Sequence, residues 1–179
     1  MRRDFLAAMQ RLVAVGALPA SALRGQRTPG LTRGLRRALS ELDLRLLSQT
    51  TEARFRAALD DANRRLSRTR GARCEWGVAR KALNLFMRSA LYNHHLREAY
   101  RLQRIEAFLE IPLDAIVARH IRGIVPSAGL PYWKSMRALT PELSDRYQAV
   151  ASELAKARGA ARVPLTRIAG GAERPAAAS

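Results

Sequence analysis

With 179 residues, 47% of them hydrophobic, the chain is long enough to close an apolar core, which excludes wholesale disorder despite 32 Lys plus Arg against 15 Asp plus Glu and a formal charge of +17. Aromatics make up only 6% and Leu and Ala dominate the apolar residues, so an all-α domain is expected in place of a β-sandwich or barrel. The lone Cys74 excludes disulfide scaffolds and four-cysteine zinc or iron–sulfur centres within one chain, and it fits a reducing cytoplasm.

The opening run, Met1-Arg2-Arg3-Asp4-Phe5-Leu6, is broken by Asp4, Gln10 and Arg11 and reads poorly as a secretory signal. The first helix is expected from about Asp4 to Val15, with Phe5, Met9, Leu12 and Val13 on one face and Gly16 as its stop. A connector follows from Ala17 to Gly34, carrying Pro19, Gly25, Pro29 and Gly30. Thr32 is placed as the cap of the next helix, where Leu35, Leu39, Leu42 and Leu46 recur at helical spacing as a core stripe. Thr50 and Thr51 read as a cap with Glu52 in the first turn, and Phe55, Leu59, Ala62 and Leu66 form the following stripe.

Ser67 to Arg73 is a basic loop, and a helix from Trp76 to about Leu91 would bury Ala82, Leu85, Phe86 and Ser89. Tyr92-Asn93-His94-His95 marks a break, after which a helical pattern extends to about Leu109. Ile111-Pro112-Leu113-Asp114 leads into a short amphipathic helix using Ile116, Val117 and Ile121 and closed by Gly123. A loop rich in Pro and Gly runs from Ile124 to Trp133. Thr140-Pro141-Glu142 then starts a last helix with Leu143, Tyr147, Val150 and Leu154 inward, up to Gly159. Residues 1–169 are expected to be one domain, and Gly170 to Ser179 a tail small and polar enough to fray.

No apolar run approaches the roughly 18 residues of a membrane helix, so the expectation is a cytoplasmic protein with no membrane partner. The charge is spread along the chain and is overwhelmingly Arg; only Lys81, Lys134 and Lys156 are lysines. Arg forks pair well with phosphates, which makes a polyanion the natural partner. The scarcity of lysine draws attention to Lys81, early in its helix, and to Asp114, just before another. If both helix starts face one cleft, an amine and a carboxylate meet, as a nucleophile and a base or cation stabiliser. Arg cannot replace Lys there, because only an amine that loses its proton forms a Schiff base. Asp114 is equally explained as a helix cap, and the two roles are compatible.

Gly77-Val78, Arg80-Lys81 and Asn84, together with Pro112-Leu113-Asp114, Ile116-Val117 and Arg119, resemble the helix-hairpin-helix DNA glycosylases of the endonuclease III type. The resemblance covers about the middle third of the chain. It implies an all-α glycosylase-like domain in which Lys81 is the Schiff-base nucleophile and Asp114 the catalytic carboxylate. It further implies excision of a damaged or modified base, hypermodified phage bases and hence anti-phage defence included, with an AP-lyase step and no metal or organic cofactor. The partner would be double-stranded DNA with one nucleotide flipped out, bound by a monomer.

Arg68, Arg70, Arg73, Gly77, Arg80 and Arg119 are the candidate DNA contacts. Trp76, Tyr92, Asn93, His94, Tyr132 and Trp133 are candidates for a base pocket or wedge. His94 and His95 are neighbours that project about 100° apart on a helix, so no metal site is expected of them. Two other classes stay open: a non-catalytic Arg-rich helical nucleic-acid-binding protein, and an interaction module whose Arg content reflects codon usage.

Overall fold

The computed structural model describes residues 2–157 apart from 24, 27, 50 and 70–72, and every element among the described residues is helical. The expected cap at Thr50, the end at Gly159 and the tail at 170–179 lie outside the described residues. Helix α1 (Arg2–Ala17) passes through Gly16 and stops just before Leu18-Pro19. Pro disfavours helical backbone in the residue preceding it, whereas a Gly inside a helix costs only about 1 kcal/mol, so Pro19 rather than Gly16 sets the end. Helix α2 (Leu31–Ser40) starts after Gly30, whose φ of 75° suits glycine, and Thr32 falls inside the first turn instead of capping it.

The leucine stripe divides. Leu35 and Leu39 are buried on α2, the chain turns at 41–43, and Asp43 caps α3 (Leu44–Leu47) by accepting from the Arg45 amide at 2.9 Å. Leu44 and Leu47 point inward in the new frame, leaving Leu46 exposed. Helix α4 (Glu52–Arg68) is the plainest case of local control: Thr51 accepts from the Arg54 amide, Glu52 opens the first turn, and Phe55, Leu59, Ala62 and Leu66 are all buried.

Helix α5 (Trp76–Tyr92) is buried nearly all round, with Val78, Ala79, Ala82, Leu83, Phe86, Met87, Ala90 and Leu91 in the core, while Leu85 and Ser89 are only half-buried. An apolar circumference marks a helix enclosed by others, and here α1, α2 and α4 pack around it. Asn93 ends α5 and caps α6 (His94–Tyr100) through the Leu96 amide at 3.0 Å. The pattern expected to continue to Leu109 breaks at Arg101, with φ 53°, and resumes as a 3-10 segment, Leu102–Phe108.

The extended stretch 109–113 is buried, and Gln148 of α8 (Pro141–Ala157) grips it by donating to the Ile111 carbonyl at 2.9 Å and accepting from its amide at 3.0 Å. Thr140 accepts from the Leu143 amide at 3.3 Å, as expected of a cap before Pro141. Between these lies α7 (Ala115–Ile124), which buries Ala118 and Ile121 but leaves Ile116 62% exposed, against the expected inward position, and which runs through Gly123 before Val125-Pro126 ends it. On α8, Ser144, Tyr147, Gln148, Ala151 and Ala155 are buried while Leu143, Val150 and Leu154 sit at the margin, a rotation of about one residue from the expected stripe.

One apolar core gathers α1 to α6 and the 3-10 segment; a smaller one gathers Ile111, Leu113, Ala118, Ile121, Leu139 and Tyr147, with Trp76 of α5 and Trp133 against it. The N-terminal turn of α5 and the stretch 109–114 belong to both, which joins the described residues into one domain. No described helix is long and apolar enough to cross a membrane.

Candidate functional site

Lys81 and Asp114, 33 positions apart, meet where the two cores join: Lys81 Nζ donates to Asp114 Oδ2 at 3.1 Å. Asp114 is also the N-cap of α7, its Oδ1 accepting from the amides of Ile116 at 3.0 Å and Val117 at 2.9 Å. One oxygen is thus committed to the helix and the other to the amine. The side chains are 9% and 30% exposed, so the pair is sheltered yet reachable. It forms part of the wall of a cleft of about 670 Å³, bounded on one side by Ser21, Ala22, Gly25 and Gln26 and on the other by Trp133, Lys134, Ser135, Met136 and Arg137.

The register of this meeting is set next door. Arg80 points away from the cleft into a buried fork with Glu110, Nε to Oε2 at 2.8 Å and Nη2 to Oε1 at 2.6 Å, and its Nη1 reaches Asp60 at 2.8 Å. Asn84 adds a bond to Glu110 at 3.0 Å. Burial of Arg80 works against its charge, but the hydrogen bonds and charge of Glu110, then Asp60, outweigh it and raise the pKa. For Glu110 burial favours the neutral form, and Arg80 followed by Asn84 overcomes it, holding the carboxyl below its ordinary 4.5. The fork fixes α5 against the 109–113 stretch one residue before Lys81 and four before Asp114, while Gln148 fixes the same stretch from the other side.

This placement corrects several expectations. Arg80 is not placed to contact phosphate, because its side chain is buried and all three of its nitrogens are engaged by Glu110 and Asp60. Gly77 is buried rather than open to a DNA backbone: a Cβ there would collide with the Met136 carbonyl oxygen and lie 2.6 Å from Leu139 Cβ, so its bareness serves packing of the chain on itself. Trp76 lies half-buried against the smaller core with the Arg80 guanidinium 5.3 Å from its ring centroid, which leaves no wedge.

Tyr92, Asn93 and His94 do not line the cleft; they sit at the far end of α5, about 16 Å along the axis from Lys81. There Asn93 is a cap, and His94 packs on His95, which meets Phe5. Trp133 does line the cleft, edge-on to Tyr147, whereas Tyr132 lies outside it on the surface. Arg68, Arg73 and Arg119 are exposed and free of the cleft wall, and Arg70 lies outside the described residues.

Sequence reasoning missed Lys134 and Arg137, the cations of the cleft wall, as well as Glu110 and Gln148 behind it. Lys134 carried a signal, being one of three lysines; Arg137 carried none among so many arginines. Cys74 does not line the cleft. Burial, and then the charge of Glu75, push its thiol up to about 11 against a smaller opposing bond from the Ala79 amide. Among the described residues no three His, Cys, Asp or Glu side chains gather where they could hold a metal ion. A second cavity, about 590 Å³ between α2, α3 and α4, is lined chiefly by Leu and Ala and holds no buried amine. No protein-family model, curated protein or solved structure matches the chain.

Proposed function

We propose that the chain is a DNA glycosylase with an AP-lyase step, a divergent relative of the helix-hairpin-helix enzymes of the endonuclease III type. The observation that carries this reading is the amine of Lys81 held 3.1 Å from Asp114 Oδ2 at the wall of an open cleft. Lys134 and Arg137 supply positive charge beside it, and Trp133 an aromatic wall for an extruded base.

Asp114 Oδ2 takes a proton from Lys81 Nζ, whose lone pair attacks C1′ of the flipped nucleotide. The glycosidic C–N bond breaks, and its electron pair leaves with the base, which takes up the proton held on Asp114. One of the protons still on the attached nitrogen then passes to O4′ as the sugar ring opens, leaving a Schiff base between Lys81 and C1′. Loss of a C2′ proton expels the 3′ phosphate, and water hydrolyses the imine to regenerate the amine. The substrates that fit this chemistry are oxidised, deaminated, alkylated or hypermodified phage bases, and mass spectrometry of bases released from damaged and phage DNA separates them.

Borohydride trapping on DNA with an abasic site tests the step. The wild-type chain is expected to give a covalent adduct, and both Lys81→Ala and Lys81→Arg to give none, although Arg retains the charge. A wild-type chain that forms no adduct and releases no base overturns the enzyme reading. Salt-sensitive DNA binding without product then assigns the chain to the non-catalytic nucleic-acid-binding class, which Asp114 as an ordinary cap favours.

A further inference from the structure

Tyr132 is 78% exposed, yet the loop presenting it is braced at three successive carbonyls. Arg146 donates to Gly129 at 3.0 Å, Arg122 Nε to Leu130 at 3.1 Å, and the Tyr147 hydroxyl to Pro131 at 2.6 Å. The Arg122 guanidinium lies 3.7 Å from the Tyr132 ring centroid and covers one face. The opposite face is open. A surface aromatic normally gains from folding down onto apolar neighbours; this one stays exposed on a braced backbone and is backed by a cation.

The surroundings specify what fits. Trp133, the next residue, lines the cleft, and Lys134 follows. On α7, Ile116 at the cleft rim, Arg119 and Arg122 succeed one another at intervals of three residues, so a path of about 9 Å leads from the cleft mouth to the Tyr132 platform, exposed at Ile116 and Arg119. At ~3.4 Å per stacked nucleotide that path spans about three nucleotides. A polyanion whose units carry flat π-faces matches an aromatic plate flanked by arginines, and stacking needs a base whose face is not covered by a pairing-competent duplex neighbour.

We infer that Tyr132, backed by Arg122, is a stacking subsite for an unpaired base flanking the nucleotide in the cleft, so that DNA unpaired beside the flipped nucleotide is bound more tightly than intact duplex. The inference rests on the Lys81 reading for the occupant of the cleft, but its own contact is separate.

The test uses the full chain and a short single-stranded oligonucleotide with one abasic site and 2-aminopurine scanned through the neighbouring positions, alongside the same strand annealed to its complement. At one flanking position the fluorescence is expected to be quenched on binding. Tyr132→Ala abolishes the quenching and weakens single-strand affinity about tenfold, Tyr132→Phe keeps both, and duplex affinity is unmoved. Quenching and affinity that persist in Tyr132→Ala, or a loss equal on single strand and duplex, overturn the subsite. Borohydride trapping of the wild-type chain on the same oligonucleotide reports on Lys81 alone, so either claim can fail while the other stands.

Discussion

Asp114 divides its carboxylate between the cap of α7 and the Lys81 amine, and substitution separates the two. Asn caps helices as well as Asp does, so Asp114→Asn is expected to keep Oδ1 on the Ile116 and Val117 amides, to lose only the ion pair with Lys81, and to lose base release. Asp114→Ala removes the cap as well and is expected to be about 1 kcal/mol less stable than Asp114→Asn. A melting temperature that drops equally in both variants argues against this division. Cys74 offers a second single-residue test. With its thiol near 11, the thiolate fraction at pH 8 is about one in a thousand instead of about one in ten, so labelling by iodoacetamide in the folded chain should be about a hundredfold slower than after unfolding.

Among the elements, α5 and the 109–114 stretch depend on contacts distant in sequence, and their variants should show it. Gly77→Ala forces the 136–139 segment away and is expected to cost about 1–3 kcal/mol in denaturant unfolding, far more than alanine usually costs in a helix. Glu110→Gln leaves the buried Arg80 charge with only Asp60 and should cost about 3–5 kcal/mol. Because the Glu110 carboxyl is held below its ordinary 4.5 in the folded chain, its contribution is complete above that pH and fades as pH falls through the lowered native value. Acid unfolding of wild type should therefore steepen below about pH 4.5, and Glu110→Gln should lose that component.

The same contrast explains what the sequence disclosed. Helix α4 was legible because Thr51, Glu52 and the Phe55 to Leu66 stripe are local signals that nothing distant overrides. The Lys81–Asp114 meeting was legible through chemistry, a rare lysine and a capping aspartate. The burial of Arg80 was not, since its partner Glu110 lies 30 positions away and arginine is everywhere in the chain. Nor was the role of Gly77, whose reason is the chain at Met136 and Leu139, or the exposure of Ile116 on a helix that buries Ala118 and Ile121 instead.

Across the whole molecule, a charge of +17 would make the affinity for DNA proposed above a function of salt, and the structure sorts the cations. Lys134 is exposed at the cleft wall and Arg119 is exposed on α7 outside it, so neutralising each to Gln should lower the slope of log affinity against log salt by about 1. Arg80 is spent internally, and its replacement should leave that slope unchanged in any chain that still folds.

Lys81 projects from the most enclosed helix of the fold, and this bears on how the protein wears out. Amide protons of α5 should be among the last to exchange with solvent, opening only when the whole molecule does, whereas those of the braced but peripheral 129–137 loop exchange sooner. The backbone that carries the amine would then stay formed until the whole molecule opens, and heat should extinguish the proposed chemistry and the structure at one temperature, with no inactive folded form in between.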